Sequence, residues 1–253
     1  MLHRRICQFI LVYFFGLTCL FLIKYALNLS DYVIPGLREI GETGRRVFAG
    51  YAFDVMNTLL VAVIGHMVSI CLATLVGIIG RLTTWAGSLI KTIAYNIQAY
   101  PIVAVAPIIF ILLGDGLASR LLIAVMICYF PLLLSFIGIL SEPVVNIEHF
   151  YVVTKRMNWR LEVKIRAFEN MNKIITVITG SATLAVVGTI IAEFIAADAG
   201  IGYSIRIALY QSDLSRVLTA LFLIGISTSL YLTVLELIGH MIKNRFNLSK
   251  QEK

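Results

Sequence analysis

The polar stretch at residues 141–172 reads SEPVVNIEHFYVVTKRMNWRLEVKIRAFENMN and lies between two long apolar runs. It holds five of the 21 basic and four of the 14 acidic residues of the chain. Burying such charges in a bilayer is costly. The stretch is therefore predicted to lie outside the hydrocarbon, where it can bind a soluble partner. A solvated loop without a partner is the alternative.

The composition around this stretch is that of a membrane protein. The chain has 253 residues, of which 59% are hydrophobic and only 14% are charged, whereas soluble domains carry about 25% charged residues. Several apolar runs exceed the roughly 20 residues that a helix needs to cross a bilayer. We predict an all-α, polytopic fold with a single transmembrane domain over residues 1–253, surrounded by membrane lipid. Basic cytoplasmic loops then explain the net charge of +7, so no nucleic-acid partner is predicted.

Hydropathy divides this domain into about six spans. Residues 1–50 would form an N-terminal helix and an outer segment, and residues 51–245 a five-helix core. The first span could instead be a signal peptide, but its apolar stretch is long and no cleavage site follows it, which favours an uncleaved helix. The predicted spans are 7–27, 55–79, 89–113, 121–140, 174–195 and 217–242.

The positive charges are unevenly distributed between the two sides of these spans. The side with both termini and residues 141–172 carries 14 Lys and Arg residues, whereas the other side carries 7, including Arg120. Because basic loops stay in the cytoplasm, we predict that both termini and residues 141–172 are cytoplasmic.

Prolines predict two local features. Residues 28–54 contain Pro35-Gly36 and then apolar residues among charges, which indicates a short amphipathic helix along the outer surface. The third span contains Pro101 and Pro107. Each proline removes a helical hydrogen bond, so a bend is expected there.

The chain contains none of the common enzymatic motifs. HExxH, G-x-S-x-G and the P-loop pattern are all absent, so no catalytic residue, no metal site and no ATP site are predicted. Single polar residues remain inside the spans. His66 reads best as a packing or hydrogen-bonding residue, Glu193 as a functional carboxylate, and Glu236 and His240 as an i,i+4 pair. A membrane enzyme would need Asp54, His66 and Glu193 to converge.

Four pieces of sequence in order resemble one family, the inner-membrane permeases of ABC importers of the nitrate/sulfonate/taurine type. YVIPGLREI at 32–40 is similar to the entry segment before the family's core. PIVAVAPIIFILLGDG at 101–116 is similar to its third helix and turn, and residues 141–172 occupy the place of its cytoplasmic EAA loop. AEFIAADAGIGY at 192–203 is similar to its pattern AE-L…SGLGYLI. The resemblance implies the type I importer permease fold.

In such permeases the EAA loop forms a coupling helix that docks on an ATPase. Here the Glu-Ala-Ala triplet falls on residues 151–153 and the loop glycine on Met157. Asn158 would take the positive-φ turn position in place of glycine. The missing glutamate implies either a partner that has changed to match or weakened coupling. The coupling residues implied are Phe150, Tyr151, Val152, Val153, Thr154, Met157 and Asn158.

The resemblance also implies the partners. A cytoplasmic ABC ATPase would bind ATP–Mg, with no cofactor on this chain. An extracytoplasmic substrate-binding protein would deliver the solute, and a second permease copy, identical or related, would complete the pathway in a bacterial inner membrane. The solute would be a small anion such as nitrate, a sulfonate, taurine or bicarbonate, or a vitamin precursor. A degenerate, non-transporting subunit is the alternative. Implied pathway or gate residues are Pro101, Pro107, Glu193, Gly200, Gly202 and Tyr203.

Overall fold

The computed structural model describes residues 2–144, 147, 149, 153 and 158–251. Within these ranges the chain is helical and contains no strand, which confirms the predicted all-α class. The helices are α1 (Leu2–Ala26), α2 (Leu37–Leu82), α3 (Thr84–Ala99), α4 (Ile102–Leu113), α5 (Leu117–Ser141), α6 (Trp159–Glu169), α7 (Met171–Ile195), α8 (Ile201–Tyr210) and α9 (Leu214–Gln251).

Among the described residues, α1, α2, α5, α7 and α9 are each long and apolar enough to cross a membrane. These helices contain the predicted spans 7–27, 55–79, 121–140, 174–195 and 217–242, apart from one residue at the end of the first. The amphipathic segment after Pro35 is helical, as predicted, but it is not a separate short helix. It forms the first turns of the 46-residue α2, because no proline occurs between Pro35 and Pro101 to interrupt the helix.

The third predicted span is broken into α3 and α4, which meet at an angle of 90°. The break lies at Tyr100 and Pro101, and both have extended backbones. A residue before proline is sterically excluded from the helical region, which explains why α3 ends there. By contrast, α4 continues through Pro107, so the bend expected at the prolines occurs at Pro101.

The two halves of this broken helix connect opposite ends of the bundle. α2 ends beside α6, where Arg81 pairs with Glu162. α5 begins at the other end, where Arg120 pairs with Glu193 near the end of α7. The chain between α2 and α5 must therefore run from one end to the other, so α3 and α4 together act as a sixth crossing.

The centre of the bundle is formed by α2, α5 and α7, which pack closely through small residues. A Cβ on Gly188 of α7 would lie 3.1 Å from the Cα of Ala124 on α5, and one on Gly65 of α2 would lie 3.2 Å from the Cβ of the same alanine. Small residues allow membrane helices to approach this closely. The outer α1, by contrast, keeps apolar side chains such as Leu11 and Phe15 about 70% exposed, which suits contact with lipid.

Candidate functional site

Glu193 lies in the last turn of α7 and is completely buried. Its carboxylate forms an ion pair with the guanidinium of Arg120, which is 5% exposed in the first turn of α5. The hydroxyl of Thr58 on α2 donates to Oε2 of Glu193 at 2.7 Å. A buried carboxylate is stable only when it is paired and hydrogen-bonded, and these contacts join three helices at one end of the bundle.

The N-terminus of α8 completes this cluster, which we call the outer-end cluster after the side that the charge distribution predicts for it (Thr58, Arg120, Glu193, Gly200 and Gly202). The backbone N–H of Gly202 donates to Glu193 Oε2 at 3.0 Å, and the N–H of Ile201 donates to the Thr58 hydroxyl at 2.9 Å. Helix N-termini attract negative charge because their first N–H groups have no partner within the helix. The carboxylate therefore fixes α8 to the end of α7.

Steric contacts explain why both predicted positions in this motif are occupied by glycine. Gly200 has φ +94°, a backbone region that side chains disfavour, and its Cβ would collide with the Glu193 carboxylate. A Cβ on Gly202 would lie 2.5 Å from the carbonyl oxygen of Ile190. The chain can thus turn back over Glu193 only because both residues lack a side chain.

Of the six predicted gate residues, the structure brings together Glu193, Gly200 and Gly202. Tyr203 lies on the next position of α8, and the guanidinium of Arg206 stacks on its ring at 5.3 Å. Arg206 also donates to the carbonyl oxygen of Ile195 at 2.9 Å, so it caps the C-terminal end of α7. Pro101 and Pro107 have exposed side chains and do not belong to this buried cluster.

The role of Arg120 was not predicted from the sequence, in which this residue counted only as one of the outer-side charges. It is held by Glu193 and by the side-chain oxygen of Asn57, which accepts from Arg120 Nη2 at 3.2 Å. A usable signal was present, because a carboxylate near the end of a span requires a cation at a similar depth. Arg120 directly precedes the predicted fourth span, which starts at the same end.

His66 is fully buried and forms hydrogen bonds to two other helices, in agreement with the predicted hydrogen-bonding role. Its Nδ1 lies 2.7 Å from the Tyr231 hydroxyl and its Nε2 lies 2.9 Å from the Ser181 hydroxyl. The Ser181 hydroxyl donates to the carbonyl oxygen of Ile178, so it accepts from Nε2–H and Tyr231 donates to Nδ1. His66 therefore links α2, α7 and α9.

The three residues required by the membrane-enzyme hypothesis do not converge. Asp54 accepts a hydrogen bond from Ser204 at 2.5 Å beside the outer-end cluster, where Glu193 also lies. His66 is eight residues beyond Thr58 on α2, which corresponds to about 12 Å along the helix. Its ring nitrogens are both engaged by other residues.

At the opposite end, the amphipathic α6 is fastened to the bundle by the inner-end clamp (Arg81, Leu140, Glu162 and Arg166). Glu162 pairs with Arg81 at the end of α2 and with Arg166 at 2.7 Å. Arg166, buried to 6% exposure, also donates to the carbonyl oxygen of Leu140 at 3.1 Å. The polar segment is thus tied to α2 and α5 at the end of the bundle where α7 begins.

Asn158 begins α6 as its N-cap, with its side-chain oxygen accepting from the N–H of Leu161 at 2.9 Å. Its φ of −134° shows that the predicted positive-φ turn is wrong. An N-cap residue needs an extended backbone so that its side chain can reach the first free N–H groups. Asn158 therefore starts the anchored helix and does not end a preceding one through a glycine-like turn.

The remaining predicted coupling residues are mostly beyond the described ranges. Phe150, Tyr151, Val152, Thr154 and Met157 lie outside the described residues. Val153 is described; it is helical and its side chain is 66% exposed. An exposed valine in this charged segment is available for contact with a partner.

The predicted pairing of Glu236 with His240 is replaced by a longer-range contact. Glu236 accepts a hydrogen bond from Arg5 Nε at 2.7 Å and forms an ion pair with the same guanidinium. α1 packs along α9 and brings Arg5 within reach. The forked guanidinium can satisfy both carboxylate oxygens, which a neighbouring histidine on the same helix cannot.

Comparison with known proteins identifies relatives that are transport permeases. The chain is 30% identical over 145 residues to a riboflavin transport system permease protein of Chloroflexus aurantiacus, covering 57% of this chain and 54% of the relative. It is 26% identical over 142 residues to a probable ABC transporter permease protein of Haemophilus influenzae, covering 54% and 56%. It is 25% identical over 172 residues to a formylaminopyrimidine transport permease protein of Halalkalibacterium halodurans, covering 67% and 68%.

The chain therefore spans little more than half the length of the first two relatives. No protein-family model matches it. The names of the relatives support the predicted ABC transporter permease class but do not specify the nitrate/sulfonate/taurine type. Together with the long apolar helices, they identify a multi-pass membrane protein with homologues among ABC transporter permeases.

Proposed function

We propose that this chain is the permease subunit of an ABC importer and forms half of the membrane pathway for a small organic solute. A cytoplasmic ATPase would bind and hydrolyse ATP–Mg, an extracytoplasmic binding protein would supply the solute, and a second permease copy would complete the pathway. The similarity to three transport permeases and the six passes that the described residues make between the ends of the bundle, with α3 and α4 counted as one, support this function.

The observation that carries the proposal is the inner-end clamp. A coupling segment can move membrane helices only if it is connected to them. Glu162 and Arg166 of α6 join the segment to the ends of α2 and α5 through Arg81 and the Leu140 carbonyl. A push on the residues before α6 would thus reach two central helices of the bundle directly.

In this mechanism the chain performs no bond-making chemistry. ATP binding would close the partner ATPases and draw the coupling segments, around residues 150–158, towards each other. The helices tied to α6 would then rock as rigid bodies and turn the pathway from inward- to outward-facing. The outer-end cluster would keep α7 and α8 together during this motion, so that the outer gate moves as one piece.

The relatives favour an organic solute over a small inorganic anion. Two of them are named for transport of riboflavin and formylaminopyrimidine, which are uncharged ring compounds that carry several hydrogen-bonding groups. We propose that the cargo of this chain belongs to the same chemical class.

The proposed orientation places both termini and α6 in the cytoplasm of a bacterium and the outer-end cluster at the outer face of its inner membrane. The side that carries 14 of the 21 basic residues would then be inside. Cysteines introduced at Val153 and Arg38 should react with membrane-impermeant maleimides from opposite sides in cells and inverted vesicles. Reaction from the same side would contradict this orientation.

The function is tested by co-purification of the tagged full-length chain in mild detergent, with mass spectrometry of the bound proteins. An ABC ATPase should accompany the wild-type chain, and Val153→Asp should remove it. Thr83→Asp is the matched control, because it adds the same charge at the same end of the bundle but outside residues 150–158, while an aspartate can still cap α3.

Three results would each contradict a different part of the proposal. Retention of the ATPase by Val153→Asp would show that this residue does not lie in the contact. Loss of the ATPase from both variants would indicate a general effect of negative charge. Absence of an ATPase from the wild-type preparation would favour the non-transporting subunit.

A further inference from the structure

A cavity of about 840 Å³ lies between α1, α7 and α9, at the same end of the bundle as the inner-end clamp. On α7 its lining runs from Asn172 to Thr183. The eleven steps between these two residues correspond to about 16 Å along the helix, roughly half the thickness of a bilayer's hydrocarbon core. The cavity therefore extends from the cytoplasmic end of the bundle, in the proposed orientation, to about mid-depth.

One wall of the cavity is a polar stripe on α7. Asn172, Thr176, Thr179 and Thr183 all line it, and their spacing of three or four residues places them on one face of the helix. The Thr176 hydroxyl donates to the Asn172 carbonyl at 2.9 Å, and the Thr183 hydroxyl donates to the Gly180 carbonyl at 2.7 Å. Their protons are used within the helix, so the hydroxyl oxygens offer acceptor lone pairs to the cavity.

The opposite wall adds an amide that can both donate and accept. Gln8 of α1 lines the cavity together with the α7 stripe. A solute between the two walls would meet hydroxyl acceptors on one side and a carboxamide on the other. This donor and acceptor set suits an organic molecule with its own N–H, O–H and C=O groups.

The charges in the described lining are placed so that they do not create an anion site at depth. Arg5 is neutralised by its pairing with Glu236. Lys243 lies seven residues after Glu236 on α9, which places it about two helical turns closer than Glu236 to the cytoplasmic end. An anion that moved past Lys243 and the imidazole of His240 towards Thr183 would lose water without meeting another Lys or Arg among the described lining residues that is not already paired.

We propose that this cavity is the cytoplasmic half of the solute pathway and binds an uncharged, hydrogen-bonding organic solute through Gln8, Thr179 and Thr183. This assignment rests on the proposed permease function and adds the location and the chemical class of the site. The volume lies within the roughly 300–1,000 Å³ range of small-molecule sites, whereas an inorganic anion would leave most of it filled with water.

The chain offers a variant that fills the cavity without a clash. Gly180 lines the cavity and a Cβ placed on it meets no atom within 4 Å. Gly180→Leu should therefore narrow the cavity just below Thr183 and leave the packing of the bundle intact. Gly138→Leu on α5 is the matched control, because Gly138 is equally open and is not among the residues that line the cavity.

The test measures thiol labelling of the full-length chain in lipid nanodiscs. Thr183→Cys and Thr176→Cys are introduced singly after Cys7, Cys19 and Cys71 have been replaced by serine, while the buried Cys128 is kept and its labelling is checked in the background protein. Neutral and anionic methanethiosulfonate reagents of similar size serve as probes. Size-exclusion profiles confirm that each variant is folded.

Both probes should label Thr176→Cys, and the ratio of anionic to neutral labelling rates should fall several-fold at Thr183→Cys. Adding Gly180→Leu should slow neutral labelling of Thr183→Cys by roughly tenfold or more, because the leucine side chain occupies the path, whereas Gly138→Leu should leave it unchanged.

An equal or higher ratio of anionic to neutral labelling at Thr183→Cys than at Thr176→Cys would overturn the uncharged-solute assignment. No labelling of Thr183→Cys, or no effect of Gly180→Leu, would overturn the pathway itself. These rates do not require an ATPase, so this test can fail while the co-purification test succeeds.

Discussion

The two ends of the helix bundle each depend on a Glu–Arg pair between distant helices, but the surroundings of the two pairs differ. At the outer end Glu193 is 0% exposed and Arg120 is 5% exposed, and the carboxylate also accepts from Thr58 and the N–H of Gly202. At the inner end the side chain of Glu162 is 26% exposed and that of Arg81 is 16% exposed. One pair is enclosed by protein, whereas the other retains contact with its surroundings.

This difference indicates different mechanical roles for the two ends. Removing one partner of a buried pair leaves an uncompensated charge and costs about 3–5 kcal/mol, whereas exposed pairs contribute about 0–1 kcal/mol. The outer-end cluster is therefore a fixed joint that holds α2, α5, α7 and α8 in one arrangement. The inner-end clamp can change its geometry at lower cost, as the proposed transmission of motion through α6 would require.

The largest expected effect comes from breaking the outer pair with Glu193→Ala. The variant leaves Arg120 buried without its carboxylate, so the free energy of unfolding should fall by about 3–5 kcal/mol. Thermal unfolding in detergent, followed by size-exclusion chromatography, measures the loss. The double variant Arg120→Met/Glu193→Leu should recover much of it, because no buried charge then remains. A double variant as unstable as the single one would show that the pair is not the source of the effect.

A somewhat smaller effect is expected from Gly200→Ala. The added methyl group must adopt φ +94° and displace the Glu193 carboxylate, so we expect a loss of about 2–3 kcal/mol in the same unfolding assay. Gly36→Ala is the matched control. Gly36 is also a helix N-cap, but its φ is −70° and its Cβ position is open. Equal losses for both variants would mean that the loss reflects the N-cap position alone.

The fold was largely predictable because membrane spans depend on a one-dimensional property, the local hydrophobicity of the chain. The sequence predicted where the chain crosses, but not how helices continue between crossings. Residues 37–54 read as a separate surface helix, although no proline separates them from the span and they form one helix with it. A bend was predicted at Pro101 and Pro107 and occurs at Pro101 alone; its size was not predicted, because the 90° angle depends on how α4 packs against α5.

The sites were less predictable, because their contacts join residues far apart in the sequence. Glu193 and the glycines of the AEFIAADAGIGY motif were recognised, but Arg120 is 73 positions away from its partner. Arg81 and Glu162 are 81 positions apart. Hydropathy assigns each charge its own transfer cost and does not indicate which opposite charge will neutralise it.

A still smaller effect on stability, with a larger effect on coupling, is expected from Glu162→Gln. The substitution removes the negative charge that holds both Arg81 and Arg166, and at this partly exposed position the loss should be about 1–2 kcal/mol. In the proposed complex, the stimulation of the ATPase by solute-loaded binding protein should fall, and this fall should be clearer than the change in stability. Glu142→Gln is the control, since that carboxylate pairs with Lys173 while both side chains are more than half exposed. Equal coupling in the two variants would contradict the clamp.

The smallest expected loss of stability is that of Asn158→Ala, which tests how much the N-cap of α6 contributes. The change removes the acceptor for the Leu161 N–H, and loss of an N-cap costs about 1 kcal/mol. Asn158→Asp should cost less, because a carboxylate caps equally well and its negative charge is stabilised by the positive end of the helix dipole. Chemical unfolding of the two variants, measured side by side, gives the difference. A loss for Asn158→Ala as large as that for Glu193→Ala would mean that the inner end is as rigid as the outer end, and the assignment of the clamp as the adjustable joint would have to be abandoned.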